Sequence, residues 1–125
     1  MKSETTTEKQ GIAERTVGFS LRIIELYRQL IKDDVGRIVG KQLLRSGTSI
    51  GANVHEAQGG QSRADFISKI SIAYKEALET DYWLRLLQEG DFPRKETIVE
   101  LREETKQLIK ILSSILLTTK ERLSA

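Results

Sequence analysis

Cysteine is absent from the 125 residues, which excludes a disulfide framework, a thiolate zinc site and a cysteine nucleophile and suits a reducing compartment. A single proline and an aromatic share of 6% argue against a sheet-rich domain built on many turns. No apolar run approaches the roughly 20 residues that span a bilayer. Met1 to Gln10 is polar, so it does not read as a signal peptide. The charge excess is small, +2, which neither demands nor excludes nucleic acid. These absences point to a cytoplasmic protein with no membrane segment.

What is present favours helix. Leu, Ile, Glu, Lys, Arg and Gln abound. The length suits one hydrophobic core, and 38% apolar with 30% charged residues is ordinary for a globular chain. Residues 1–7 read as a disordered tail and 8–125 as one domain. Four segments carry helical periodicity: Glu8 to Lys32, Val35 to Gln58, Ser62 to Glu89 and Arg94 to Arg122. In the first, Ile12, Phe19, Ile23, Leu26 and Leu30 share a face. In the fourth, Ile98, Leu101, Thr105, Leu108, Leu112, Ile115 and Thr119 alternate steps of three and four, a bundle-packing pattern. Asp33 or Asp34 suits a cap for the second helix, and Ser62 with Asp65 for the third. Gly59-Gly60 is expected to close the second helix in the left-handed conformation, and Pro93 to sit in a first helical turn. Short links force sequential helices antiparallel, so the fold class is all-α, an antiparallel up-and-down four-helix bundle.

The second segment is unusual. It carries Gly36, Gly40, Gly47 and Gly51, each costing about 1 kcal/mol against alanine in a helix. They fall on one face, which implies either close approach of a neighbouring helix or a weak, kinked helix. The opposite face carries Arg37, Lys41 and Arg45 at four-residue spacing, extended by Thr48, Ala52 and His55. From Val35 to Arg63 there are four basic residues and one acidic, net +3, and from Ala64 to Phe92 three basic and six acidic, net −3. Phosphate binding is one reading of the row, since neutralised phosphates release counterions. A solvated face, or a contact with acidic groups of another subunit, is the other.

Apolar residues exceed what one bundle needs. Tyr82, Trp83, Leu86 and Leu87 point away from the stripe of Phe66, Ile70, Ala73, Ala77 and Leu84, and Ile109, Ile111, Leu116, Leu117 and Leu123 widen the fourth helix. A homo-oligomer follows, with Tyr82, Trp83, Leu86 and Leu87 as candidate contacts.

Catalytic and metal chemistry find no support. The sole histidine, His55, adjoins Glu56, but no Glu-x-x-His pair exists for a di-iron site. Gly36 to Lys41 has the wrong spacing for a phosphate loop and lies inside a helix. Ser46, Ser49 and Ser62 have no activating partner at a telling spacing. No catalytic residue, metal or cofactor is assigned, and the chain reads as a non-enzyme.

The block from Leu44 to Ala57, then Ser62 to Phe66 and Ile70 to Glu79, resembles the four-helix bundle proteins encoded in intervening sequences of bacterial 23S ribosomal RNA genes. The similarity runs from about Ile12 to Thr118 and is most specific around Ser49, Ile50, Asn53 and Glu56, followed by Arg63, Phe66, Ile72 and Ala73. The family implies an up-and-down bundle whose biochemical role is not established. It is similar in turn to the accessory protein of diversity-generating retroelements, a basic pentameric bundle that binds nucleic acid and its reverse transcriptase. The resemblance thus implies a ring-like homo-oligomer, a pentamer by analogy, with RNA or DNA as partner. Arg37, Lys41, Arg45 and Arg63 become candidate nucleic-acid residues. Asn53 and Glu56 match the family block and read as structural groups that tie the end of the second helix to the turn or to a neighbouring helix. The family often has proline where Gly51 stands. A protein–protein scaffold without nucleic acid is the alternative.

Overall fold

The computed structural model describes residues 11–124; the tail 1–7, the helix start at Glu8 and the burial of Leu123 lie outside the described residues. Four helices follow one another: α1 (Ile12–Leu30), α2 (Asp34–Gln58), α3 (Arg63–Glu89) and α4 (Lys95–Ser124), and no strand occurs among the described residues. The connections are short, and α1 packs on α2, α2 on α3, α3 on α4 and α4 back on α1. That closed circuit of neighbours is the up-and-down bundle expected from the sequence.

Local chemistry sets the boundaries. Asp33 is the residue that caps α2, its carboxylate accepting from Gly36 N at 2.7 Å. Ser62 caps α3 by accepting from Asp65 N at 3.1 Å. Two expectations are corrected. No glycine among the described residues has positive φ, and Gly59 sits at φ −91°. The end of α2 tightens instead, with Gly59 N donating to Glu56 O and Gly60 N to Ala57 O. Gly60 is small for a steric reason, since a Cβ there would lie 3.1 Å from Ala57 O. Pro93 precedes α4 and is not part of it. Arg94 takes the left-handed conformation, φ 64°, at a typical cost of about 1–2 kcal/mol. Ile98 N donates to its carbonyl, and its guanidinium reaches Gln29 at 3.0 Å. Lys95 Nζ then donates to the end carbonyls of α3, Leu87 O at 2.7 Å and Gln88 O at 2.9 Å, and to Gly90 O. This cation answers the negative end of the helix dipole.

The core is one cluster drawn from all four helices and includes Ile23, Leu43, Ile50, Leu84, Leu101 and Leu108, all without exposure. Buried hydroxyls are satisfied locally. Ser46 and Thr80 meet at 3.0 Å across α2 and α3, and each also reaches a backbone carbonyl of its own helix. No buried side-chain polar atom among the described residues lacks a partner.

The glycine face of α2 meets α1. A Cβ on Gly36 would lie 2.5 Å from Leu30 O, on Gly40 3.2 Å from Tyr27, on Gly47 3.1 Å from Ile23 and on Gly51 3.0 Å from Thr16 Oγ1. Close approach is therefore the reason for the stripe, and the helix is continuous through it. Gly36→Ala is expected to lower stability by about 1–3 kcal/mol despite alanine's better helix propensity. Gly18, with nothing within 4 Å of its missing Cβ, is the control: Gly18→Ala is expected to add about 0.5–1 kcal/mol. Urea denaturation of the two variants checks both signs.

Candidate nucleic-acid interface

Because α1 lies against the glycines of α2, the two helices form a tight antiparallel hairpin with a shared outward face. Its register is fixed by Thr16 beside Gly51, Ile23 beside Gly47 and Tyr27 with Leu30 beside Gly40. Arg37, Lys41 and Arg45 are all exposed on the α2 side of this face. Tyr27 faces Gly40, so its neighbour Arg28 comes out beside the turn of α2 that carries Arg37 and Lys41. Arg28 is exposed and extends the row across the hairpin. Reading one helix at a time missed it; the glycine register is the signal that could have found it.

The charges on this face are largely uncompensated. Arg37 pairs with Asp34 at 3.2 Å, an exposed contact of little strength. Arg28, Lys41 and Arg45 form no ion pair among the described residues. Arg63 does not join them. It opens α3 at the far end of α2, whose 25 residues place it about 30 Å or more from Arg37 at 1.5 Å per residue. The other arginines of α1 serve the fold. Arg15 forks onto Glu104 at 2.7 and 2.8 Å, and Arg22 reaches Glu100 at 2.6 Å. The hydrogen bond to Glu104 holds the Arg15 guanidinium above its ordinary pKa.

Beyond the cations, the same face turns apolar. A groove of about 220 Å³ runs between the helices, lined by Thr16, Val17, Ser20, Leu21, Gly51, Ala52 and His55. His55 Nδ1 lies 2.8 Å from Gly51 O. That carbonyl can only accept, so Nδ1 carries the hydrogen. Among the described residues no group of three His, Cys, Asp or Glu could hold a metal ion.

Of the family-block residues, Glu56 and Ser49 reach across to α3, and Asn53 braces Ser49 within α2. Asn53 is buried and donates to Ser49 O at 2.9 Å and to Ser49 Oγ at 3.1 Å, and Ser49 Oγ reaches Glu76 at 3.3 Å. Glu56 pairs with Lys69 at 2.8 Å. The four candidate contact residues divide. Tyr82 is 53% and Leu86 38% exposed, on the outer side of α3. Trp83 is half-buried, its Nε1 donating to Glu79 at 3.1 Å and its ring edge-on to Tyr82. Leu87 lies in the core with no exposure, because it continues the inward stripe three residues past Leu84 and is spent within the subunit.

Fold and surface together define a small up-and-down helical bundle with a basic outward face. The chain belongs to the 23S rRNA-intervening sequence protein family, whose model matches residues 8–114. It is similar to a crystal structure of a protein of unknown function from the S23 ribosomal protein family of Bacteroides thetaiotaomicron. The two are 42% identical, the match covers 85% of this chain and 98% of that one, and the TM-score is 0.79. No curated protein matches the chain. No helix among the described residues is long and apolar enough to cross a membrane.

If the cations serve a ligand and not the fold, removing them is harmless to stability. Lys41→Gln with Arg45→Gln is expected to change it by less than about 0.5 kcal/mol. Thermal unfolding checks this, and a loss of 2 kcal/mol or more would reveal a structural partner.

Proposed function

We propose that this protein is a non-enzymatic, homo-oligomeric bundle of the cytoplasm that binds structured RNA or DNA through the outward face of α1 and α2. The observation that carries the proposal is the cluster of Arg28, Arg37, Lys41 and Arg45, of which only Arg37 has an ion-pair partner among the described residues. Cations on rigid, tightly packed helices meet phosphates without ordering a loop first. Lys41 and Arg45 stand one turn from Arg37 and Lys41 respectively, about 6 Å apart along the axis. Such a row favours backbone and shape over base readout, as in recognition of double-stranded RNA. Membership of a family named for a ribosomal RNA intervening sequence supports RNA as the first ligand to try.

A second reading, a protein-binding scaffold without nucleic acid, is favoured by a specific observation. Leu21 is 60% and Ile38 65% exposed on the same face. Phosphates do not need such residues.

Fluorescence anisotropy with a 23S intervening-sequence hairpin, repeated at several salt concentrations, separates the two. Each phosphate contact contributes about 0.7–0.9 to the slope of log K against log salt. The triple variant Arg28→Glu, Arg37→Glu, Lys41→Glu is expected to bind roughly tenfold or more weakly, with a slope reduced by about 2–3. Affinity and slope that ignore the charge reversal leave the scaffold reading in place.

A further inference from the structure

We infer that Lys32 and Arg94, gathered by Gln29 where the α1–α2 turn meets the α3–α4 turn, form a further phosphate site that carries a bound RNA or DNA strand from the basic row over the end of the bundle. This rests on the nucleic-acid reading of that row and extends it onto another side of the molecule.

The starting observation is a break in a pattern. Arg15, Arg22 and Gln29 stand seven residues apart on α1 and so share one face. That face meets α4, where Glu104 pairs with Arg15 and Glu100 with Arg22. At the third position the pairing stops. Arg94 Nη2 donates to Gln29 Oε1 at 3.0 Å, and Lys32 Nζ donates to the same oxygen at 3.3 Å. Two cations thus converge on one uncharged acceptor. Neither forms an ion pair among the described residues. A carboxylate at position 29 would balance them, as carboxylates do elsewhere on this interface. A neutral amide orients both heads and leaves their charge for an outside anion.

The backbone at Arg94 points the same way. Its φ is 64°, a conformation that disfavours side chains and that glycine adopts freely. What the fold needs here is made without the guanidinium. Ile98 N donates to the Arg94 carbonyl, and Lys95 bonds the end carbonyls of α3. Glycine at position 94 would keep both. Within the chain, the arginine head adds one exposed bond to a neutral amide, a weak interaction. A strained residue whose side chain its own fold scarcely uses points to a ligand.

Open space adjoins the cluster on two sides. A cleft of about 410 Å³ is lined by Gln29, Lys32, Asp33, Pro93 and Arg94. A second, of about 280 Å³, is lined by Glu25, Leu26, Gln29, Arg94 and Thr97. The first is the seat for a phosphate. It holds both cations, and its carboxylate, Asp33, is engaged by Gly36 N. Glu25 sets the second cleft against an anion. A phosphate in the first meets the Arg94 fork, the Lys32 point charge and the amide nitrogen of Gln29, which has no acceptor of its own among the described residues. Lys32 stands four residues beyond Arg28, so the site continues the basic row. A strand that reaches it passes from the α1–α2 face to the α1–α4 side.

Thermal unfolding, with fluorescence anisotropy on the 23S intervening-sequence hairpin at several salt concentrations, tests the site. Arg94→Gly is expected to keep or raise the melting temperature, since the strain leaves with the side chain. It is expected to bind roughly threefold to tenfold more weakly, with a salt slope lower by about 1. Gln29→Glu supplies the missing carboxylate and is expected to act alike, with a melting temperature at or above wild type and weaker binding. Lys32→Gln, outside every helix, is expected to lose affinity with no change in melting temperature. Lower melting temperatures for both Arg94→Gly and Gln29→Glu would show side chains that serve the fold, and overturn the site. Unchanged RNA affinity in all three, while the triple charge reversal weakens binding, overturns the site and leaves the basic row standing. Wild type that binds no RNA overturns the row and the site together. Pyrophosphate that raises the melting temperature of wild type but not of Arg94→Gly, with equal RNA affinity in the two, assigns the site to a free polyphosphate and overturns the strand contact.

Discussion

The contact on which the structure depends is the bare backbone face of α2 against α1. Four glycines let Leu30, Tyr27, Ile23 and Thr16 come close: a Cβ on Gly36 would meet Leu30 O at 2.5 Å, and one on Gly40, Gly47 or Gly51 would press its neighbour at 3.0–3.2 Å. Without that approach the two helices would stand farther apart, and their outer seams would not form one surface. The face that carries the cations and the apolar groove lies beside the line where glycines of α2 let α1 come close. The cost is intrinsic helix propensity, about 1 kcal/mol per glycine, and tertiary packing offsets it.

The rest of the bundle holds that hairpin rigid. On the other side of α2, Ser46 meets Thr80 of α3 and Ser49 reaches Glu76 of α3, while Asn53 donates to Ser49 within α2. Arg102 of α4 bonds Asp81 at 3.0 Å, and Arg15 and Arg22 of α1 bond Glu104 and Glu100. Arginines of α1 divide by direction: those toward α4 are paired with carboxylates, and Arg28, turned to the outward face, is not. Pairing toward the fold and bareness toward solvent are what a binding face requires.

Much of this was legible in the sequence. The three later helices begin and end within one or two residues of their periodic segments, because each has a capping residue or a glycine break at its edge. The glycine stripe announced the close approach. What failed was local geometry that depends on a neighbour. Gly59 closes α2 without positive φ, since a tightened turn satisfies the carbonyls. Pro93 stays outside α4 because Arg94 turns left-handed and Lys95 caps the preceding helix. In the sequence Leu87 reads as a candidate contact because apolar residues crowd both sides of α3 there, and only the core position of Leu84 decides which side is inward. Arg28 belongs to the basic face only once the register of α1 on α2 is known, and Arg63 leaves it for the same reason.

The close contact of α1 with α2 is tested most directly by widening it. Gly47→Leu places a branched side chain where Ile23 leaves 3.1 Å for a Cβ. Light scattering and RNA binding of that variant, taken well below its melting temperature, report on the outward face while circular dichroism reports on the helices. The expected result is retained helix content with loss of both assembly and RNA affinity. A variant that keeps its helices, its mass and its affinity would show that the outward face does not depend on how closely the two helices pack.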